Sequence, residues 1–109
     1  MYNLSVEIVR FVDDHQPGWV ACEFVDAEGR RHTLVDKVPI FTVELLEATS
    51  KYPQPGSVSC EVLNRWEDGK GRKFVRINTA KPLDIESTDG LSEFVVLSTQ
   101  LSVSPEGNA

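Results

Sequence analysis

Tyr52-Pro53-Gln54-Pro55-Gly56 runs directly into Ser57-Val58-Ser59-Cys60-Glu61-Val62-Leu63, and this pairing of a rigid segment with strict apolar alternation restricts the fold more than any other stretch. Pro53 and Pro55 each fix φ and remove a backbone donor, and a Pro-Gly pair suits the central positions of a type II turn. A turn is therefore expected before residue 57, followed by a strand with Val58, Cys60 and Val62 on one face and Glu61 on the other. Continuing the alternation places Trp66 in phase with Val58, as a core residue.

The rest of the chain has the same period. Tyr2, Leu4, Val6 and Ile8 alternate with polar residues, and the apolar phase then moves to Val9, Phe11 and Val12, which predicts a first strand with a bulge or a strong twist. Asp13 to Gly18 is a turn by composition, and Trp19 to Val25 follows as a second strand with Val20, Cys22 and Phe24 on one face. Asp26-Ala27-Glu28-Gly29 is the next turn, with Gly29 suited to positive φ, and Arg30 to Val38 is a third strand. Residues 42–48 are the one predicted helical turn, with Thr42 as N-cap and Val43, Leu45 or Leu46 as its packing contacts. Trp66 to Gly71 reads as a hairpin loop before a strand from Lys73 to Thr79, and Glu93 to Leu97 is a short final strand, apolar on both faces.

Six short strands and one helical turn predict a mostly β fold. The arrangement favoured is a small antiparallel barrel over residues 1–101, because closure removes sheet edges, with a two-sheet sandwich as the alternative. Residues 102–109 lack apolar content and read as a frayed tail. The run Pro55-Gly56-x-Val58-x-x-x-Val62 resembles the barrel domains of translation elongation factors of the Tu type, and that likeness implies a barrel for this stretch; no nucleotide-binding motif accompanies it. The chain also resembles small uncharacterised bacterial proteins of similar size, a likeness that carries no function.

A net charge of −6 argues against nucleic acid or an anionic membrane as the principal partner, since both select a positive footprint. From Pro82 onward there are five acids and no Lys or Arg. Asp84, Glu86, Asp89 and Glu93, together with an exposed Trp19 beside Ala21 and Val25, therefore form the first candidate surface, one offered to a protein partner of basic character. A bacterial immunity protein, which neutralises a toxin by binding it, would have these features. The alternative is a nucleic-acid-binding barrel whose lip is built from Arg30, Arg31, Lys70, Arg72 and Lys73.

An enzyme is the less favoured class. No glycine-rich phosphate loop, nucleophile elbow or His-Glu metal helix occurs, and no cofactor is expected. His15 lies beside Asp13 and Asp14, a pattern that general acid/base or metal sites use but that exposed turns use more often. Cys22, Cys60, His15 and His32 lack the paired spacing of a zinc site. The two cysteines fall on apolar strand faces, where thiols act as small hydrophobes, so free thiols are expected rather than a disulfide. With neither a leader-like segment nor an apolar run long enough to span a bilayer, the expected compartment is the cytoplasm.

Overall fold

A computed structural model describes residues 1–104. The elements are strands β1 (Tyr2–Asp13), β2 (Trp19–Val25) and β3 (Arg31–Lys37), the four-residue helix α1 (Val38–Phe41), strands β4 (Gln54–Glu67), β5 (Lys73–Asn78) and β6 (Glu93–Leu97), a 3-10 turn (Ser98–Gln100) and strand β7 (Leu101–Val103). All pairings are antiparallel, in the order β3-β2-β1-β4-β5-β6, with β7 added to β1. The sheet curls into a half-barrel, so the barrel reading holds and the sandwich does not. Inside, every strand of the main path contributes alternate residues to one core: Leu4, Val6 and Ile8; Val20, Cys22 and Phe24; Leu34; Val58 and Cys60; Val75 and Ile77; Phe94 and Val96. Among the described residues no helix is long and apolar enough to cross a membrane.

The turns explain how such short strands keep their register. In the β2–β3 turn, Asp26 Oδ1 accepts the amides of Glu28 and Arg30 while Gly29 takes φ +86°. In the β4–β5 turn, Asp68 Oδ1 accepts the amides of Lys70 and Arg72 while Gly71 takes φ +83°. The Ser87 hydroxyl does the same for Asp89 and Leu91, with Gly90 at +81°. A short polar acceptor followed three residues later by glycine thus builds the same turn three times. The side chain satisfies two amides and glycine supplies the left-handed residue.

Four expectations need correction. Pro55 and Gly56 are not a turn: both lie in β4, opposite Glu7 and Val6 of β1. Pro55 is tolerated there because β5 pairs with β4 only from Glu61 onward, so at Pro55 the strand has a ladder partner on one side only. Gly56 is required by close approach, since a Cβ would lie 2.9 Å from the Ile8 side chain and 3.1 Å from the Phe41 carbonyl. The helix lies at residues 38–41 instead of 42–48. Pro39 preorganises its first turn, and Val38 and Phe41 are buried under it, whereas Val43 and Leu45 are 97% and 94% exposed and only Leu46 packs on the core.

Trp66 is exposed rather than buried, because the β4–β5 register slips between Val62 and Asn64, and this bulge turns Trp66 outward beyond it. Ser102 and Val103, read as tail, form β7: β1 pairs with β2 only from Glu7 onward, leaving the Tyr2–Leu4 edge open for Leu101–Val103. Asn3 and Ser104 side chains bond beside this pairing. Residues 105–109 lie outside the described residues.

Cys22 and Cys60 are free and buried, and burial pushes their thiols up to about 12 and about 11. A thiolate is scarce at such values and the sulfurs are shielded. Both cysteines are therefore expected to react with an aromatic disulfide reagent only as the protein unfolds in denaturant; labelling of either thiol at full rate in native buffer would contradict the inward face assigned to β2 and β4.

Candidate binding surface

The bulge at Leu63 decides which side chains face solvent on the β4–β5 hairpin. Past it, Asn64 faces Arg76, Arg65 faces Val75, Trp66 faces Phe74 and Glu67 faces Lys73 across the ladder. Val75 is fully buried, so Trp66, Phe74 and Arg76 share the opposite, outer side. The Trp66 and Phe74 rings stack with centroids 5.9 Å apart and planes 21° apart, and the Arg72 guanidinium lies 5.0 Å from the Phe74 centroid. Trp66 remains 37% exposed. A flat aromatic surface flanked by a cation results, and it stands on two paired strands rather than on a loop.

Two grooves adjoin this platform. One, of about 220 Å³, is lined by Arg65, Trp66, Glu67, Lys73, Phe74, Val75 and Ser98. The other, of about 260 Å³, is lined by Gly71, Arg72, Lys73, Leu97, Ser98 and Thr99. Lys73 and Ser98 border both. Residues 65–76 carry five cations, Arg65, Lys70, Arg72, Lys73 and Arg76, against the two carboxylates of Glu67 and Asp68. The Asp68 carboxyl is held below the usual range by the amides of Arg72 and Lys70 and then by the Arg72 guanidinium. Its Oδ2 accepts from Arg72 Nε at 3.1 Å, which orients the guanidinium that covers Phe74.

The 3-10 turn connects this hairpin to the other basic cluster. Gln100 accepts the Leu97 amide through Oε1 and donates from Nε2 to the Val25 carbonyl, both at 2.8 Å. Val25 pairs with Arg31 in the β2–β3 ladder. The same seam is fastened by the Ala27 amide donating to the Val95 carbonyl, and by the Thr88 amide donating to the Thr33 carbonyl beside a Leu34–Ser87 bridge. The 3-10 turn thus adjoins both the β2–β3 turn that carries Arg30 and Arg31 and the groove bordered by Arg72 and Lys73. Arg31 is paired with Glu23 at 2.8 Å, while Lys70 and Lys73 form no ion pair among the described residues.

The acidic candidates separate. Asp84 and Glu86 line a cavity of about 370 Å³ with Val35, Asp36, Ser87 and Thr88, and Asp84 takes φ +58° there. Asp89 stands in the Ser87 turn and Glu93 opens β6 opposite Asn78, outside that cavity. Trp19 is half-buried with Lys37 Nζ 5.8 Å from its ring centroid. Ala21, expected to extend an exposed patch from Trp19, is fully buried. Its methyl lies between its larger cross-strand neighbours Arg10 and Val35, which shield it.

The two histidines differ in kind. His15 is exposed; its Nδ1 lies 2.7 Å from Asp13 Oδ1, which holds the imidazole pKa above its ordinary value. Asp13, Asp14 and His15 are the one grouping of three potential metal ligands among the described residues, and all three are open to solvent. His32 is buried, with Nε2 2.8 Å from Asp26 Oδ2 and its ring against Phe24 and Phe94, at centroid distances of 5.2 and 4.7 Å. Burial alone would raise the Asp26 carboxyl, but the His32 bond and then the Arg30 and Glu28 amides outweigh it and hold the carboxyl below its ordinary value. This pair joins the turn to the core.

Hairpin and cations could be read from the residues; the platform could not, because its aromatic member was in phase with the core until the bulge. The signal available was the cluster Arg65-Trp66 and Lys70-Gly71-Arg72-Lys73-Phe74 around one turn. No protein-family model matches the chain, and no curated protein or solved structure is similar to it.

Proposed function

We propose that this protein is a non-catalytic binding module that holds an anionic partner on the β4–β5 hairpin and the adjoining 3-10 turn. The observation that carries this reading is the exposed Trp66–Phe74 stack, set beside Arg72 and Lys73 on a rigid two-stranded support. Aromatic and arginine side chains in partly desolvated surroundings supply most of the energy of many interfaces. The buried polar side chains of His32, Thr79 and Ser87 are each engaged by neighbouring protein groups, which supports structural roles for them. Retention on immobilised heparin is the direct test. The wild-type protein is expected to elute later in a salt gradient than the double variant Arg72→Gln/Lys73→Gln, with thermal melts confirming that both are folded; identical elution would remove the reading.

A second reading places a basic protein partner on the opposite charge. It is supported by Asp36, Asp84 and Glu86 lining one cavity with no ion pair among the described residues. Under it, a partner identified by mass spectrometry after affinity capture would be lost from Asp84→Lys/Glu86→Lys but kept by Arg72→Gln/Lys73→Gln.

A further inference from the structure

Resting on the anionic-partner reading, we infer that the ligand of this surface is single-stranded nucleic acid, with a base stacked on Trp66 and its phosphates on Arg72 and Lys73. The flat stack is the first reason. Trp66 lies nearly parallel to Phe74, so one indole face is backed by a second ring while the side chain stays partly open. A purine or pyrimidine can continue such a stack, and every base has the π-face required. A glutamate or aspartate side chain can use the cations but not the ring.

The second reason is the spacing of charge. Lys73 and Ser98 belong to both grooves, and Lys73, Arg72 and Lys70 follow one another around the β4–β5 turn, while the β2–β3 turn that carries Arg30 adjoins the 3-10 turn through Val25. A row of separated cations suits a chain that carries one phosphate per unit better than a ligand with one charged head. Ser98 and Thr99 add hydroxyls that can donate to phosphate oxygens along the groove. Single strands are specified because the bases of a duplex are already stacked on one another and cannot reach Trp66 without being extruded.

The net charge of −6 sets the strength of this contact. Repulsion from the acidic segment keeps binding weak, and the phosphate contacts make it salt-sensitive. Three phosphate contacts, by Lys70, Arg72 and Lys73, give a slope of about −2 in log affinity against log salt, and losing one reduces its magnitude by about 0.7.

The test follows Trp66 fluorescence in a Trp19→Phe background during titration, at low salt, with oligothymidylate of about ten nucleotides. The expected result is quenching that saturates. Trp66→Ala, with binding read from a label on the oligonucleotide, is expected to weaken it by roughly 5- to 150-fold, Trp66→Phe by less, and Lys73→Gln to flatten the salt slope. The Asp84→Asn/Glu86→Gln variant is expected to bind at least as well as wild type. Three outcomes overturn the inference. If oligothymidylate neither binds nor quenches while polyglutamate binds, and heparin retention still depends on Arg72 and Lys73, the surface serves an acidic protein and only the nucleic-acid inference falls. If binding occurs but is indifferent to Trp66→Ala, the stack is not the contact. Heparin retention indifferent to both cations removes the underlying reading as well.

Discussion

Val58→Asp is expected to abolish the cooperative unfolding transition, whereas Glu61→Lys, three residues along the same strand, should leave the denaturation midpoint nearly unchanged. Val58 is fully buried opposite Leu4 in the β1–β4 ladder, and Glu61 faces solvent opposite Asn78. Burying the valine stabilises by about 1.5–3 kcal/mol, and an unpaired carboxylate in the same place adds a desolvation cost that takes most of a small domain's total margin. Val62, in phase with Val58 by sequence, is only half-buried at the edge of the bulge, so Val62→Asp should fall between the two. Circular dichroism in urea measures all three. Equal losses at positions 58 and 61 would show that the inward face of β4 is assigned wrongly.

Asp26→Ala should be the most costly change among the turns. It deprives the Glu28 and Arg30 amides of their acceptor and leaves the buried His32 Nε2 without its partner. The last loss dominates, because a buried polar group cannot turn to water, and the expected destabilisation is about 2–4 kcal/mol. Asp68→Ala removes the same two amide bonds from a geometrically equivalent turn, but no buried histidine depends on it. Its effect should be clearly smaller, and similar losses would show that the His32 contact contributes little.

The pH dependence follows from the lowered Asp26 carboxyl. A group whose folded pKa is depressed contributes stability that is present above its unfolded value, near 3.8, and is lost as pH falls through the folded value. Wild-type stability should therefore decline below about pH 4 more steeply than that of Asp26→Ala, which has no such carboxylate to protonate.

The strands and turns were legible because their causes are local. Alternation at Val58, Cys60, Val75, Ile77, Phe94 and Val96 reports one buried face directly, and an Asp or Ser followed three residues later by Gly carries its own hydrogen bonds and left-handed residue. Even the bulge in β1 announced itself, as a change of apolar phase after Ile8. The bulge in β4 did not. Leu63 and Trp66 are both apolar, so nothing in the period of residues 58–66 distinguishes a strand that continues from one that slips by a residue.

What the chain determined alone was its antiparallel β character, the hairpin turns at residues 26–29 and 68–71 and its acidic balance, all set by backbone preferences and side-chain period within a few residues. The tertiary structure decided the rest. Gly56 looked like a turn glycine until Ile8 and Phe41 were packed against it, and residues 42–48 lacked a surface on which Val43 and Leu45 could bury a helix. Trp66 met the basic residues on an exposed face only because β4 bulges, and the two basic hairpins adjoin one 3-10 turn only because the curled sheet brings β6 to the β2–β3 turn. Curvature and seam contacts arise between residues far apart in sequence, where local period carries no information.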